Sequence, residues 1–244
     1  MTILQLFSLL KVVIILAYTF SEVVVSENGA IDKVKYNQPA TLPIQNHTNP
    51  DEVFFLPSLL EHGKKLLLHF PSNLQAIEDK KIIHNFCTEV AQEDFFCTRS
   101  WIEMFEYSNS KLKENTCPLQ TSIINKQDNT IEQFYIVQDR VEKLQNHGIT
   151  SSSPSSFVIC HGLTNNIHYC HLTDKTHVYK VPLQGTSDGT IIQAMAACHL
   201  DTSMWNPLHL AFYQLKVKPG ETTICHFLVK KEYVWIPIST VMTE

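Results

Sequence analysis

Residues 157–199 read FVICHGLTNNIHYCHLTDKTHVYKVPLQGTSDGTIIQAMAACH, and the dipeptide Cys-His ends three segments of this stretch, at Cys160-His161, Cys170-His171 and Cys198-His199. A fourth copy, Cys225-His226, follows, so the gaps between copies are eight, twenty-six and twenty-five residues. The segments are short and apolar, and Asp188-Gly189 supplies a turn before the last of them. That pattern predicts strands at Phe157–His161, Ile167–His171, His177–Leu183 and Thr190–His199. Neighbouring side chains on a strand point to opposite faces. Each dipeptide then sends its thiol one way and its imidazole the other, and four such strands build a layer of cysteines backed by a layer of four histidines.

Outward from this stretch, Thr222–Val229 and Tyr233–Pro237 read as two further strands. Between them and Cys198-His199, Asn206 suits an N-cap and Pro207 a first helical residue. Leu208, Ala211, Phe212 and Leu215 then share one helical face, and Pro219-Gly220 ends it. Upstream, Ser100 with Glu103 fits a capping box before a helix whose face is Trp101, Met104, Phe105, Ser108 and Leu112. Lys111 and Lys113 complement its C-terminal dipole. Another helix is expected from about Asn73 through Val90, and strands at Lys64–Phe70 and Thr130–Val137. The fold class expected is α+β, with early helices and a mainly antiparallel C-terminal sheet system in one disulfide-bonded domain.

The N-terminus bears on the redox compartment. Residues Ile3–Phe20 are largely apolar with Lys11 as the one charge, and small or polar residues follow. This reads as a secretory signal peptide over about residues 1–26. An uncleaved anchor is the alternative, but anchors usually need about 20 uninterrupted apolar residues. Residues 27–52 are polar, contain Pro39, Pro43 and Pro50, and form a flexible leader, leaving 53–244 as the domain. Secretion favours disulfides and makes Asn46 a glycosylation acceptor in Asn46-His47-Thr48. A net charge of −5 without a basic run argues against a nucleic-acid partner. No later segment is apolar enough to cross a membrane.

Three chemistries compete for the Cys-His pairs. Mixed thiolate–imidazole zinc sites usually take ligands two to four residues apart on a tight turn, and adjacent residues on a strand diverge. The cysteines can instead form disulfides beside incidental histidines. In the third reading, disulfides on one face leave His161, His171, His199 and His226 as an all-imidazole metal site, which suits Cu(II). The four cysteines allow three pairings, and spacing does not choose among them. His209 reads as a structural histidine, and Cys117 stands apart as a free or intermolecular thiol.

The four Cys-His pairs, together with Asp201-Thr202-Ser203, Trp205-Asn206-Pro207, His209-Leu210-Ala211-Phe212, Val217-Lys218-Pro219-Gly220 and Trp235-Ile236-Pro237, resemble the plant BURP domain. Upstream, Val53-Phe54-Phe55 and Gly63-Lys64-Lys65 resemble its opening, and Cys87 with Cys97-Thr98-Arg99-Ser100 its paired cysteines. The first gap of eight residues departs from the family's usual ten, but losing two preserves strand alternation. The resemblance implies a secreted or vacuolar plant protein tied to seed development, stress or the cell wall, similar to the short seed-protein-like members. One branch resembles a non-catalytic subunit associated with polygalacturonase. Another contains copper-dependent peptide cyclases that oxidatively crosslink a tyrosine or tryptophan of a core peptide. By that likeness His161, His171, His199 and His226 are copper ligands, and Cys160, Cys170, Cys198 and Cys225 are disulfide-bonded.

Fused core peptides of that branch often begin Gln-Pro and end in an aromatic residue. Here Gln38-Pro39 is followed by Ala40-Thr41-Leu42-Pro43-Ile44-Gln45, and Tyr36 lies before it. Self-cyclisation of the familiar kind therefore lacks an acceptor. Two readings remain: a non-catalytic protein partnering a cell-wall polysaccharide or wall enzyme, or a cyclase acting in trans on a separate peptide.

Overall fold

The computed structural model describes residues 24–25, 31–32, 54–70, 80–89, 95–125, 132–144 and 156–238. The expected signal segment and leader, with Asn46, lie outside these residues except for one antiparallel pair, β1 (Val24–Val25) with β2 (Ile31–Asp32), in a separate unit spanning 1–36. The unit from residue 37 onward carries everything below.

That unit begins with β3 (Phe54–Phe55), a 3-10 turn at Pro57–Leu60, β4 (Lys65–Leu68), helix α1 (Lys80–Glu89), β5 (Phe95–Thr98) and helix α2 (Trp101–Leu112). Short strands follow: β6 (Thr116–Leu119), β7 (Ser122–Asn125), β8 (Gln133–Val137) and β9 (Glu142–Lys143). The Cys-His region then forms β10 (Phe157–Gly162), β11 (His168–Thr173), β12 (Thr176–Gly185) and β13 (Ile191–His199). Helix α3 (Leu210–Leu215), β14 (Ile224–Leu228) and β15 (Tyr233–Pro237) complete it.

Among the described residues of this unit, all strand pairs are antiparallel and fall into two sheets. One has the order β5-β11-β10-β15-β6; the other runs β3-β14-β13-β12-β8-β4, with β7 added along β13 and β9 along β12. The domain is therefore mostly antiparallel β with few helices, a correction to the weight that the α+β expectation gave to helix. Strand alternation explains how the sheets meet. Phe157 and Ile159 of β10 and Val234 and Ile236 of β15 pack against Val178, Met195, Ala197 and Leu228 of the other sheet. The opposite face of the five-stranded sheet is covered by α2, where Met104 meets Val158, Cys160, Cys170 and Trp235. The opposite face of the larger sheet buries Cys198 and Cys225 with Phe55, Leu66, Leu68, Tyr135 and Phe227.

Three disulfides close, at Cys87–Cys97, Cys160–Cys170 and Cys198–Cys225. The last two join residues directly opposite each other on paired strands, β10 with β11 and β13 with β14. Cys87–Cys97 ties α1 to β5. Cys117 is free and half-buried on β6.

Several local expectations change. Ser100 does cap α2, accepting from the Glu103 N–H at 3.1 Å, while Glu103 accepts from Arg99 N–H at 2.7 Å, one residue before the usual box position. Of its expected apolar face only Met104 and Ser108 are fully buried, and Trp101 stays 50% exposed beside Tyr233 and Trp235. Helix α3 starts three residues later than Asn206 as N-cap implies. The Asn206 side chain accepts from Leu208 N–H and its carbonyl from His209 N–H, which spends Asn206 on a turn ahead of the helix. His209 is the residue that caps α3. The helix then ends through Lys216 at φ 55, before Pro219-Gly220 is reached. Strands β5, β6, β7 and β9 were not expected from sequence. Pro118 masks β6, and it is tolerated because β6 is an edge strand. The segment 73–79 of the expected first helix lies outside the described residues. Among the described residues, five non-glycine residues take the left-handed backbone, and all are basic: Lys113, Arg140, Lys175, Lys216 and Lys231.

Replacing Cys198 and Cys225 together by Ala is expected to cost about 2–4 kcal/mol of unfolding free energy. Denaturant melts with circular dichroism retained in the native baseline check it; an unchanged midpoint would show that the cross-link does not hold the β13–β14 pair.

Candidate functional site

The disulfide register decides where the imidazoles go. With Cys160 opposite Cys170, His161 stands opposite Tyr169 and His171 opposite Ile159. His161 and His171 are thus diagonal neighbours on the face away from their disulfide. The second hairpin repeats the device: Cys198 stands opposite Cys225, His199 opposite Ile224 and His226 opposite Ala197. Because the disulfides occupy the outer faces, both histidine pairs are directed between the sheets. The short first gap is absorbed in the loop from Leu163 to Ile167, closed by Leu163 N–H to the Ile167 carbonyl, without changing either face.

All four imidazoles are buried and meet there. Ring centroids lie 5.5 Å apart for His161–His171, 5.5 Å for His199–His226 and 5.7 Å across the sheets for His161–His226. The Nε2 atoms of His199 and His226 are 3.3 Å apart, within hydrogen-bond distance. His199 Nδ1 is 3.2 Å from the Thr176 hydroxyl, and His161 Nδ1 is 3.0 Å from Glu232 Oε1. His171 Nδ1 is buried and has no side-chain hydrogen-bond partner among the described residues. Trp205 sets its ring edge-on to His199 at 5.0 Å, and Tyr169 lies along His171 at 5.5 Å.

His209 joins the rim. Its Nδ1 accepts from Ala211 N–H at 3.3 Å, capping α3, while Trp205, Phe54 and Phe212 enclose its ring. The structural role expected from sequence is the one its hydrogen bond describes. Glu232 and Thr176 were not singled out from sequence. Thr176 arrives by strand pairing, opposite His199. Glu232 comes from the turn before β15, and its only signal was an acidic residue directly before an apolar strand.

Electrostatics favour neutral imidazoles. Burial, then the neighbouring rings, hold His171 and His199 well below the ordinary histidine range. Burial and His161 pull His226 down to about 4, and burial with His226 pulls His209 down to about 3. Burial also pushes the Tyr169 phenol well up. For Glu232 burial opposes ionisation, but His161, His226 and the Val229 N–H outweigh it, and the carboxyl lies below its ordinary range.

The donor set fits a borderline cation that prefers nitrogen. Neutral imidazole is the ligating form, and the nearby sulfurs are committed to disulfides. Rings bound through nitrogens at about 2.0–2.1 Å from one ion place their centroids on the order of 5–6 Å apart, the spacing found here. Among the described residues, however, no three His, Cys, Asp or Glu side chains already stand in a ligating arrangement. The rings pack on one another, and closing on an ion requires them to turn.

The chain matches the family model described as BURP domain over residues 83–237. It is 36% identical to BURP domain protein RD22 of Arabidopsis thaliana over 60% of this chain and 36% of that protein. It is 27% identical to BURP domain-containing protein 3 of Oryza sativa subsp. japonica over 82% of this chain and 54% of that protein. Protein RAFTIN 1A of Triticum aestivum is 34% identical over 38% of this chain and 25% of its own length. The chain spans between about a third and a half of the length of the first two.

Neutral burial fixes the sign of the pH response. Between the ordinary histidine value and the lowered ones, the unfolded chain binds protons that the folded chain refuses. Stability of the metal-free protein is therefore full above about pH 6.5. It falls as pH drops toward the value of about 4 for His226, by about 1.4 kcal/mol per pH unit for each histidine titrating alone. Urea midpoints at pH 7 and pH 5 check this, and equal midpoints would contradict neutral burial of the cluster.

Proposed function

Because the chain belongs to the BURP-domain family of plant proteins, we propose that it is a secreted protein of the cell wall or vacuole that binds copper through His161, His171, His199 and His226. Its role is structural or interactive, in wall, seed or stress biology, with a wall polysaccharide or wall enzyme as partner. The observation that carries the metal reading is the meeting of four buried imidazoles between two sheets, each pair backed by a disulfide. The apolar N-terminal segment supports secretion. The three disulfides agree with an oxidising compartment. No helix among the described residues is long and apolar enough to cross a membrane.

A second reading is kept by the completeness of the histidine set. In it the protein is an oxidative peptide cyclase acting in trans on a Tyr- or Trp-containing peptide. Copper bound there would supply one-electron oxidation, with oxygen as the terminal oxidant. The chain's own residues do the rest of the work in either reading. The two cross-linked strand pairs bring the imidazoles together, Glu232 and Thr176 engage ring nitrogens, and Trp205 and Phe54 wall the cluster with apolar surface. Residues 38–52 contain neither Tyr nor Trp, which favours the non-catalytic reading or a separate substrate.

Purified protein is expected to bind Cu(II) stoichiometrically, and His199→Ala to abolish that binding. Unchanged copper content in the variant would rule out the four-histidine site. Incubating the loaded protein with oxygen and Tyr- or Trp-containing peptides separates the two roles: loss of two hydrogens by mass spectrometry assigns the cyclase, and intact peptides beside full copper loading assign the non-catalytic protein.

A further inference from the structure

Glu232 is the acidic side chain that reaches the histidine cluster. It lies in the tight turn between β14 and β15, where its N–H donates to the Val229 carbonyl at 3.0 Å. Its Oε2 accepts from the Val229 N–H at 3.0 Å, and its Oε1 lies 3.0 Å from His161 Nδ1. The backbone of one residue therefore clamps both the main chain and the side chain of Glu232. Lys231, at φ 68, turns the chain so that this closure is possible. The Glu232 side chain is only 13% exposed and that of His161 8%.

The direction of the hydrogen bond follows from chemistry. An ionised carboxylate only accepts, so the nitrogen facing it must carry the proton. His161 then holds its proton on Nδ1, and in the neutral ring its Nε2 keeps a free lone pair. The other three cluster members lack this arrangement: His199 meets a hydroxyl and another imidazole, His226 meets His199, and His171 has no side-chain hydrogen-bond partner among the described residues. Among the described residues, His161 is the only one of the four paired with a carboxylate.

We propose that Glu232 is a positioning residue of the cluster, holding His161 in the Nδ1–H tautomer so that its Nε2 is presented to a divalent metal ion as the most basic donor of the set. The proposal rests on the copper reading above and adds to it a residue outside the Cys-His pairs. A carboxylate bonded to the far nitrogen of a ligand imidazole fixes the ring's orientation and raises its donor strength. It also brings a negative charge beside the imidazoles, which favours a divalent ion over a monovalent one.

The test compares the full wild-type chain with Glu232→Gln and Glu232→Asp, using Cu(II) in competition with a chelator of known affinity. Glu232→Gln is expected to weaken Cu(II) binding about 10–100-fold, and Glu232→Asp to recover part of that loss. Long-range proton–nitrogen spectra of the metal-free wild type are expected to show His161 protonated at Nδ1, and the Glu232→Gln spectrum to lose that preference. This readout needs neither metal nor a stable variant. Equal copper affinities in wild type and Glu232→Gln, or a wild-type His161 protonated at Nε2, overturn the role of Glu232 and leave the four-histidine site standing. A wild type that binds no copper while showing the Nδ1 proton overturns the copper reading and the metal-positioning role with it.

Discussion

Two cross-strand cysteine pairs set the register on which everything else depends. In antiparallel strands, placing one cysteine opposite another also places the residue after each of them on the reverse face, at diagonal positions. Cys160–Cys170 and Cys198–Cys225 use this twice, once in each sheet. A slip of one residue in either hairpin would exchange sulfur for imidazole on both faces. The cross-links therefore hold a register in which all four histidines face the space between the sheets. Beside them that space is filled by the apolar side chains of Phe157, Ile159, Val178, Met195, Leu228 and Val234.

Much of this was legible because it is local. The alternating pattern around each Cys-His pair identified β10 to β15 nearly residue by residue, and the same alternation separated thiols from imidazoles. The pairing of the cysteines was not legible. It depends on which strands become neighbours, and β10 and β11 belong to one sheet while β13 and β14 belong to the other. The edge strands escaped notice for a related reason. Residues 116–119 carry Pro118, and 142–143 is too short for a pattern, so each exists only because a longer strand is there to pair with.

The same division applies to the site. The four imidazoles could be named in advance because they repeat. Glu232, Thr176 and Trp205 are single residues from a turn, a strand start and a loop, and nothing in their own surroundings announces what they face. Asn206 shows the opposite failure. Its preference for capping was recognised, but the same side chain satisfies a turn equally well, and the later, buried His209 took the cap. A capping residue signals that some N–H is about to need an acceptor without saying which.

The left-handed turn residues give the fold one more property. Glycine would occupy such positions without a side-chain clash, yet here they are Lys113, Arg140, Lys175, Lys216 and Lys231. Each accepts a backbone cost of roughly 1–2 kcal/mol and keeps the unfolded chain less free than glycine would. Lys113 and Lys216 stand at helix C-termini, where a cation is favoured, and Lys175 reaches Asp201 at 2.8 Å. These corners are thus held partly by exposed charge, which mobile ions screen within about 10 Å at 0.1 M salt. Ionic strength acts first on these exposed corners and less on the buried sulfur bridges and apolar contacts of the interior.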